Sequence, residues 1–264
     1  MDARLLAAAA LTFAASVAAQ SFEPIEGQPG KDVVWVPTRP ALVEKMLDLA
    51  AVTPKDVVMD LGSGDGRMVI AAAKRGARAI GVEYEPDMVA LARRNAAAAG
   101  VGDKATFIQG DMFAADISQA TVLALFLLPA NLRRLAPKFM QLPAGTRIVS
   151  NTYRIEGWDD ADSVEIAGDC VAWCTAYLYL VPARVDGSWR LPSGTVHFTQ
   201  DLQHLSGTLV LPGGHPLPAD GKVTGDHVRF AVGLETYTGR VHGDEMSGQA
   251  SGAYSGFWKA TRLR

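Results

Sequence analysis

The sequence predicts an α/β fold: a mostly parallel sheet with helices on both faces, followed by a small C-terminal antiparallel β unit. Three observations predict it. Between residues 41 and 151, short apolar runs alternate with segments whose apolar residues recur at helical spacing, the pattern of strands and crossover helices. A glycine-rich stretch, Asp60 to Gly66, joins the first of those runs to the next helical segment. After Pro182 the texture turns to short β-branched and aromatic runs separated by turn residues, as antiparallel hairpins require. A chain of 264 residues, 48% hydrophobic, holds enough apolar material for one full core and a smaller second one. The expected divisions are residues 1–19, 21–182 and 183–264.

Residues 1–19 carry Arg4, an uncharged apolar stretch from Leu5 to Val17, and small residues before Gln20. That layout suits a secretory signal peptide; the alternatives are a retained membrane anchor or an alanine-rich extension with no targeting role. Residues 21–40 read as an entry punctuated by proline and glycine, with an extended run Val33–Val36. Leu42, Met46 and Leu49 set a helix over 41–51. Val57–Leu61 is a strand, 66–75 a helix, and Ala79–Glu83 a second strand. Pro86 opens a helix at a position where its missing N–H costs nothing, and Gly100 ends it. Ala105–Gln109, Thr121–Leu127 and Thr146–Asn151 read as further strands, with a helix over Asn131–Gln141 between the last two. Val171–Val181 reads as more strand. Cys170 and Cys174 are the only cysteines. On a strand, positions i and i+4 lie about 13 Å apart, too far to bridge, so two buried free thiols are expected. A turn between them would permit a disulfide.

The tail from 183 holds 13 glycines and all five histidines. Strand-sized runs lie at Thr195–Phe198, Thr208–Leu211, His227–Val232, Tyr237–Val241 and Gly256–Thr261. The segments beginning Val223-Thr-Gly-Asp and Val241-His-Gly-Asp share a rhythm 18 residues apart, which fits successive hairpins of a meander, a partly closed barrel among the options. His197, His204, His215, His227 and His242 lack metal-ligand spacing, so no metal is expected.

The sharpest motif is Asp60-Leu61-Gly62-Ser63-Gly64-Asp65-Gly66. Glycines between a strand and a helix let the backbone approach a ligand closely, at a helix N-terminus whose N–H groups point into the site. Glu83 ends the second strand, where a carboxylate accepts ribose hydroxyls, and Asp111 follows the third. Three acids at the carboxyl ends of consecutive parallel strands converge on one crevice. A dinucleotide site expects G-x-G-x-x-G, and an acid at Asp60 would repel a pyrophosphate but tolerates an ammonium-bearing ligand.

On these residues the chain resembles the class I S-adenosylmethionine-dependent methyltransferases, with a Rossmann-like sheet. Over residues 33–150 it resembles bacterial relatives of the ATP synthase c-subunit lysine methyltransferase family. The matching pieces are Trp35-Val36-Pro37-Thr38, Val57 through Arg67, Gly81-Val82-Glu83, Gln109-Gly110-Asp111 and Leu125-Phe126-Leu127-Leu128-Pro129. The resemblance implies S-adenosyl-L-methionine as cofactor. Asp60, Gly62, Ser63, Gly64 and Gly66 would hold its methionyl part, Glu83 its ribose, and Asp111 its adenine amine with Met112 packed nearby. Pro37 and Thr38 would close over the methionyl end. Residues 183–264 match no named family.

The acceptor should enter after the fourth strand. Phe126 either stabilises a cationic amine there or simply ends a buried strand. Asn131 either anchors the acceptor or caps the following helix, and Tyr153 is a further candidate. No histidine precedes residue 197, which suits an amine acceptor better than a hydroxyl that must be deprotonated. The expected partner is therefore a protein lysine or a small amine. The alternatives are a small or lipid-like acceptor, or an exported binding protein that keeps the fold without turnover. A formal net charge of −3 gives no basic footprint, so no nucleic acid is expected. If the N-terminal segment is used, the location is the periplasm or cell envelope, with membrane association through the N-terminus if it is retained; otherwise the location is cytoplasmic.

Overall fold

The computed structural model describes residues 22–168, 170–252 and 255–263. The signal-like segment lies outside the described residues. The chain enters through an extended strap, 24–38, closed on itself by a bridge between Pro29 and Val34. Helix α1 (Pro40–Leu49) follows, with proline in its first turn, where no intrahelical N–H is lost. Then come β1 (Val57–Leu61), α2 (Arg67–Lys74), β2 (Arg78–Glu83), α3 (Pro86–Ala98), β3 (Ala105–Gln109), β4 (Val122–Leu125), α4 (Pro129–Phe139) and β5 (Arg147–Asn151). Strands β6 (Asp162–Glu165) and β7 (Thr175–Leu180) complete a seven-stranded sheet in the order β3-β2-β1-β4-β5-β7-β6. β1 to β5 pair in parallel, whereas β7 runs antiparallel to both β5 and β6.

The parallel strands are nearly all apolar because both faces are covered. On one face Val58, Ala79, Ala124 and Val149 pack with α1, α2 and α3 through Leu42, Met46, Val69, Ala72, Val89 and Ala92. On the other, Met59, Ile80, Leu123 and Ile148 meet Leu132, Leu135 and Phe139 of α4 together with Trp158 and Tyr179. At the amino ends of the strands, Asp56 ties the layers together. It accepts hydrogen bonds from the Thr53 backbone N–H (2.8 Å) and hydroxyl (2.9 Å) and the Thr121 hydroxyl (2.7 Å), and pairs with Arg147. Burial alone would raise its pKa, but these donors and the Arg147 charge outweigh it and hold the carboxyl below its usual value.

Eight further strands, β8 (Gly187–Leu191), β9 (Gly194–Asp201), β10 (His204–Val210), β11 (Leu217–Thr224), β12 (His227–Val232), β13 (Glu235–His242), β14 (Glu245–Ser251) and β15 (Gly256–Arg262), form a closed antiparallel barrel. Closure comes from β15 pairing with β8, Arg262 opposite Trp189. The Val-x-Gly-Asp rhythm is the pair of turns β11–β12 and β13–β14. Each is a two-residue loop whose leading glycine, Gly225 or Gly243, has φ near +60°, and Gly233 repeats the device between β12 and β13. Side chains fill the interior: Trp189, Phe198, Phe230, Tyr237 and Trp258 are buried, with Phe230 and Tyr237 stacked at 4.6 Å. An eight-stranded barrel is just wide enough for that filling. Gly239 and Gly248 face one another across β13 and β14, and a Cβ on Gly239 would stand 2.9 Å from Trp258.

The sequence-predicted α/β sheet with a C-terminal antiparallel unit is thus the observed architecture, and the barrel is fully rather than partly closed. One expectation fails. Cys170 and Cys174 form a disulfide, Cα to Cα 5.9 Å, because the segment before Thr175 is a turn and not a strand. No helix among the described residues is long and apolar enough to cross a membrane.

Candidate active site

A large pocket opens at the carboxyl ends of β1, β2 and β4, beneath the strap; among the described residues, none from the barrel lines it. The loop after β1 forms its floor. Gly62 and Ser63 donate backbone hydrogen bonds to the Val82 carbonyl of β2, at 2.8 and 3.1 Å, fixing the loop against the neighbouring strand. Gly66, with φ +83°, turns the chain into α2, and a Cβ there would stand 2.7 Å from Phe107. Gly64 lies under the Trp35 indole so closely that a Cβ would meet Nε1 at 2.7 Å. Gly81, beneath the loop, leaves room for Ser63 and Phe107.

The three predicted acids converge on this pocket, each in a different state. Glu83 accepts hydrogen bonds from the Gly64 N–H (2.8 Å) and the Glu85 N–H (3.0 Å), so it braces the loop from the next strand. Asp111 accepts from the Phe113 N–H (2.8 Å) and pairs with Lys31 Nζ (2.9 Å), which also faces the Tyr84 ring at 5.0 Å. The Lys31 contact, then the Phe113 hydrogen bond, holds the Asp111 carboxyl below its ordinary value. Asp60 is 8% exposed and receives no donor from the described side chains. Burial first, then the neighbouring charges of Glu83 and Asp65, push its pKa up to about 8. The nearest cation of the loop, Arg67, is engaged elsewhere: it forks onto both oxygens of Asp65 and donates to the Thr38 carbonyl at 2.9 Å.

These features fit a cationic, nucleoside-bearing ligand. A buried carboxylate without a counter-charge, a buried Ser63 hydroxyl with no partner among the described residues, and a glycine cradle stand together. Pro37, Thr38, Gly62, Ser63, Gly64, Asp60, Glu83, Asp111 and Met112 all line the pocket, while Gly66 sets the backbone behind it. The buried Asn151 amide donates to the Thr38 hydroxyl at 3.2 Å, which holds the end of the strap over the floor.

The acceptor-side expectations divide. Phe126 and Tyr153 line the pocket and stack with centroids 6.4 Å apart. Asn131 does not line it. Neither does it cap α4, whose N-cap is Leu128 without a side-chain bond; its amide donates to the Asp32 carbonyl of the strap at 3.4 Å. The helix starts two residues earlier than expected because Pro129 is preset for its first turn. Sequence reasoning missed Lys31, Trp35 as a cover over Gly64, Tyr84 and Trp173. Only Trp35 carried a signal, as part of the Trp-Val-Pro-Thr match. Among the described residues no cluster of three or more His, Cys, Asp or Glu side chains could hold a metal ion.

Comparison with known proteins gives a consistent family. A family model described as the ANTKMT methyltransferase domain matches residues 60–162. A protein-lysine N-methyltransferase of Saccharolobus islandicus is 38% identical over 152 residues, spanning 56% of this chain and 94% of the relative. The adenine nucleotide translocase lysine N-methyltransferase of Mus musculus is 37% identical over 118 residues, of which the alignment covers 51% of the mouse protein, so the chain spans about half of that relative. Among solved structures, an RNA methyltransferase from Salinibacter ruber in complex with S-adenosyl-L-homocysteine is 45% identical, with TM-score 0.53, over 57% of this chain and 96% of that chain. The family model lies entirely outside the barrel. With that sheet order, this glycine loop and relatives matched over nearly their whole length, the chain belongs to the class I S-adenosylmethionine-dependent methyltransferases, in the group related to the ATP synthase c-subunit and protein-lysine N-methyltransferases.

Proposed function

We propose that this methyltransferase acts on the ε-amine of a protein lysine. The observation that carries the reading is the wall of the pocket after β4, where Phe126, Leu128 and Tyr153 present rings and apolar surface and no imidazole. Bound in this pocket, S-adenosylmethionine supplies a sulfonium methyl group, which a neutral amine takes in an in-line displacement, leaving S-adenosylhomocysteine and a proton released to water. The chain's own contribution is alignment and charge. Asp60 and the loop N–H groups would hold the donor's ammonium-bearing end, Glu83 its ribose and Asp111 its adenine. The apolar surface of the wall excludes water from the entering amine, and its rings face the positive charge that develops on nitrogen as the methyl group transfers. The Salinibacter relative is described as an RNA methyltransferase. Against carrying that acceptor over stands the formal net charge of −3.

Residues 1–19 belong to the same proposal as a signal segment directing the chain to the cell envelope. The Cys170–Cys174 disulfide supports that location, since such bonds persist in oxidising compartments. The test is transfer of tritiated methyl from S-adenosylmethionine to soluble and membrane fractions, followed by protease or ribonuclease digestion and amino-acid analysis. Methyl-lysine is expected, with a Glu83→Ala control reduced to background. Label released by ribonuclease, or residing in lipid, would refute the lysine reading. N-terminal sequencing of the mature chain tests cleavage after Ala19.

A further inference from the structure

Trp173 was invisible as a site residue in the sequence, yet it reaches the pocket from the far edge of the sheet. Its ring stands 6.1 Å from Phe126 at an interplanar angle of 62°, while Tyr153 stacks on Phe126 at 6.4 Å and 24°. Three rings thus form one collar at the acceptor side of the pocket. The backbone is shaped to aim two of them. Trp173 itself has φ +57°, and Thr152, immediately before Tyr153, has φ +64°. These are two of the four non-glycine residues with positive φ among the described residues. A left-handed conformation is costly for a bulky or β-branched residue and persists only where surrounding contacts over-determine it.

Those contacts are visible. The Cys170–Cys174 disulfide closes the turn that bears Trp173. The Ile166 N–H donates to the Cys174 carbonyl at 3.0 Å, and the Thr152 N–H donates to the Thr175 carbonyl at 2.7 Å, which joins the two ring-bearing segments. Trp173 is 38% exposed and its neighbour Val171 92% exposed, so burial alone does not fix the ring.

We propose that Trp173 is an acceptor-specificity residue: with Phe126 and Tyr153 it forms an aromatic collar that receives the alkylammonium end of a lysine side chain, and the Cys170–Cys174 disulfide is the positioning element that holds it there. The inference rests on the lysine reading above and deepens it. Ring faces attract a cation most strongly once it is partly desolvated, and a methylated ammonium is less hydrated than the unmethylated ammonium, so the collar favours side chains that already carry a methyl group.

The test uses the full chain saturated with S-adenosylhomocysteine and two soluble probes of equal shape, choline and its uncharged carbon isostere 3,3-dimethyl-1-butanol, titrated by NMR. Wild type is expected to bind choline about tenfold more tightly than the isostere. Trp173→Leu should abolish that preference, Trp173→Phe should keep it within about threefold, and neither should change S-adenosylhomocysteine affinity. Reduction with a phosphine, or the Cys170→Ser/Cys174→Ser pair, should weaken choline binding several-fold in wild type and leave Trp173→Leu unaffected. A preference that survives in Trp173→Leu, or one that reduction leaves untouched, overturns the proposal. A parallel tritium assay separates this failure from that of the lysine reading: methyl-lysine formed equally well by Trp173→Leu removes the collar and leaves the reading, whereas label found only in RNA or lipid removes the reading.

Discussion

Replacing Asp60 with asparagine changes one oxygen for an isosteric amide and removes a titratable carboxyl that is buried beside two other acids. In the folded protein this carboxyl holds its proton up to about pH 8, against 3.8 for an aspartate in water. The folded state therefore binds the Asp60 proton more tightly than the unfolded chain. Stability contributed by this group is full below pH 4 and falls as pH rises toward 8, the reverse of a salt-bridged aspartate. One proton of difference costs about 1.4 kcal/mol per pH unit, so the whole interval amounts to about 6 kcal/mol if nothing relaxes. An amide at the same place gives back about 1–3 kcal/mol for its own unsatisfied groups. The charges that face Asp60 are Glu83 and Asp65, with Arg67 already committed to Asp65. At pH 9 the asparagine variant should therefore unfold higher than wild type by roughly 5 °C or more, whereas at pH 5 the two should nearly coincide. The assay is calorimetric unfolding across pH 5–9, reading the transition that S-adenosylhomocysteine shifts, because the barrel has its own core. The cost of the gain is the ligand: donor affinity should drop about tenfold or more in the variant and lose its rise with pH. Parallel pH profiles for the two proteins would refute the claim that Asp60 is held without a counter-charge.

Gly81→Ala would set a Cβ 2.5 Å from the Ser63 hydroxyl and 2.8 Å from Phe107, so it should destabilise the fold by about 1–3 kcal/mol and weaken donor binding by displacing the loop, read by chemical denaturation and calorimetry. Asp56→Asn should cost about 2–4 kcal/mol at pH 7, because Arg147 loses its charge partner. The difference should shrink as pH falls below about 4, where the depressed wild-type carboxyl takes its proton; urea titrations at pH 7 and pH 3 check this. Lys31→Met frees Asp111 for an adenine amine, and since the pair is partly exposed the gain in S-adenosylhomocysteine affinity should be modest, about two- to threefold by calorimetry. Weaker binding in that variant would show that Lys31 assists the nucleoside instead of competing with it.

The parallel half of the fold is readable in the sequence because each strand is a short apolar run and each helix has a punctuated start. Val57–Leu61 and Ala105–Gln109 are matched to the residue. The missed strand, Asp162–Glu165, lies at the sheet edge with three of its four residues exposed, so no burial pattern marks it. Val171–Val181 misleads for a related reason: its apolar beginning is a disulfide-closed turn whose Trp173 faces the pocket, and a hydrophobic residue that serves a site looks like one that serves a core. In the barrel, β11 carries Pro218 and Gly221 and β14 carries Gly248, so composition hides strands that the two-residue glycine turns betray. For the site, the acids and glycines of the donor half are local to strand ends and so legible. Lys31 meets Asp111 across 80 residues of chain, and Trp173, before β7, meets Phe126, after β4, two strands away in the sheet, contacts that only the topology creates.

The meeting of β15 with β8 has a consequence for how such a protein arises. A barrel whose first and last strands are neighbours has the start of the first and the end of the last side by side on one rim. It leaves no unpaired edge for the parent sheet to complete and contributes no residue to the pocket. An ancestor of this chain could therefore have acquired the barrel in one splice without re-forming its catalytic half, and could have changed the barrel's outer surface afterwards with the chemistry left intact. The methyltransferase and the barrel are in that sense separately heritable, meeting through the link after Leu180 and through side-chain contacts such as Lys222 with Asp159 at 2.8 Å.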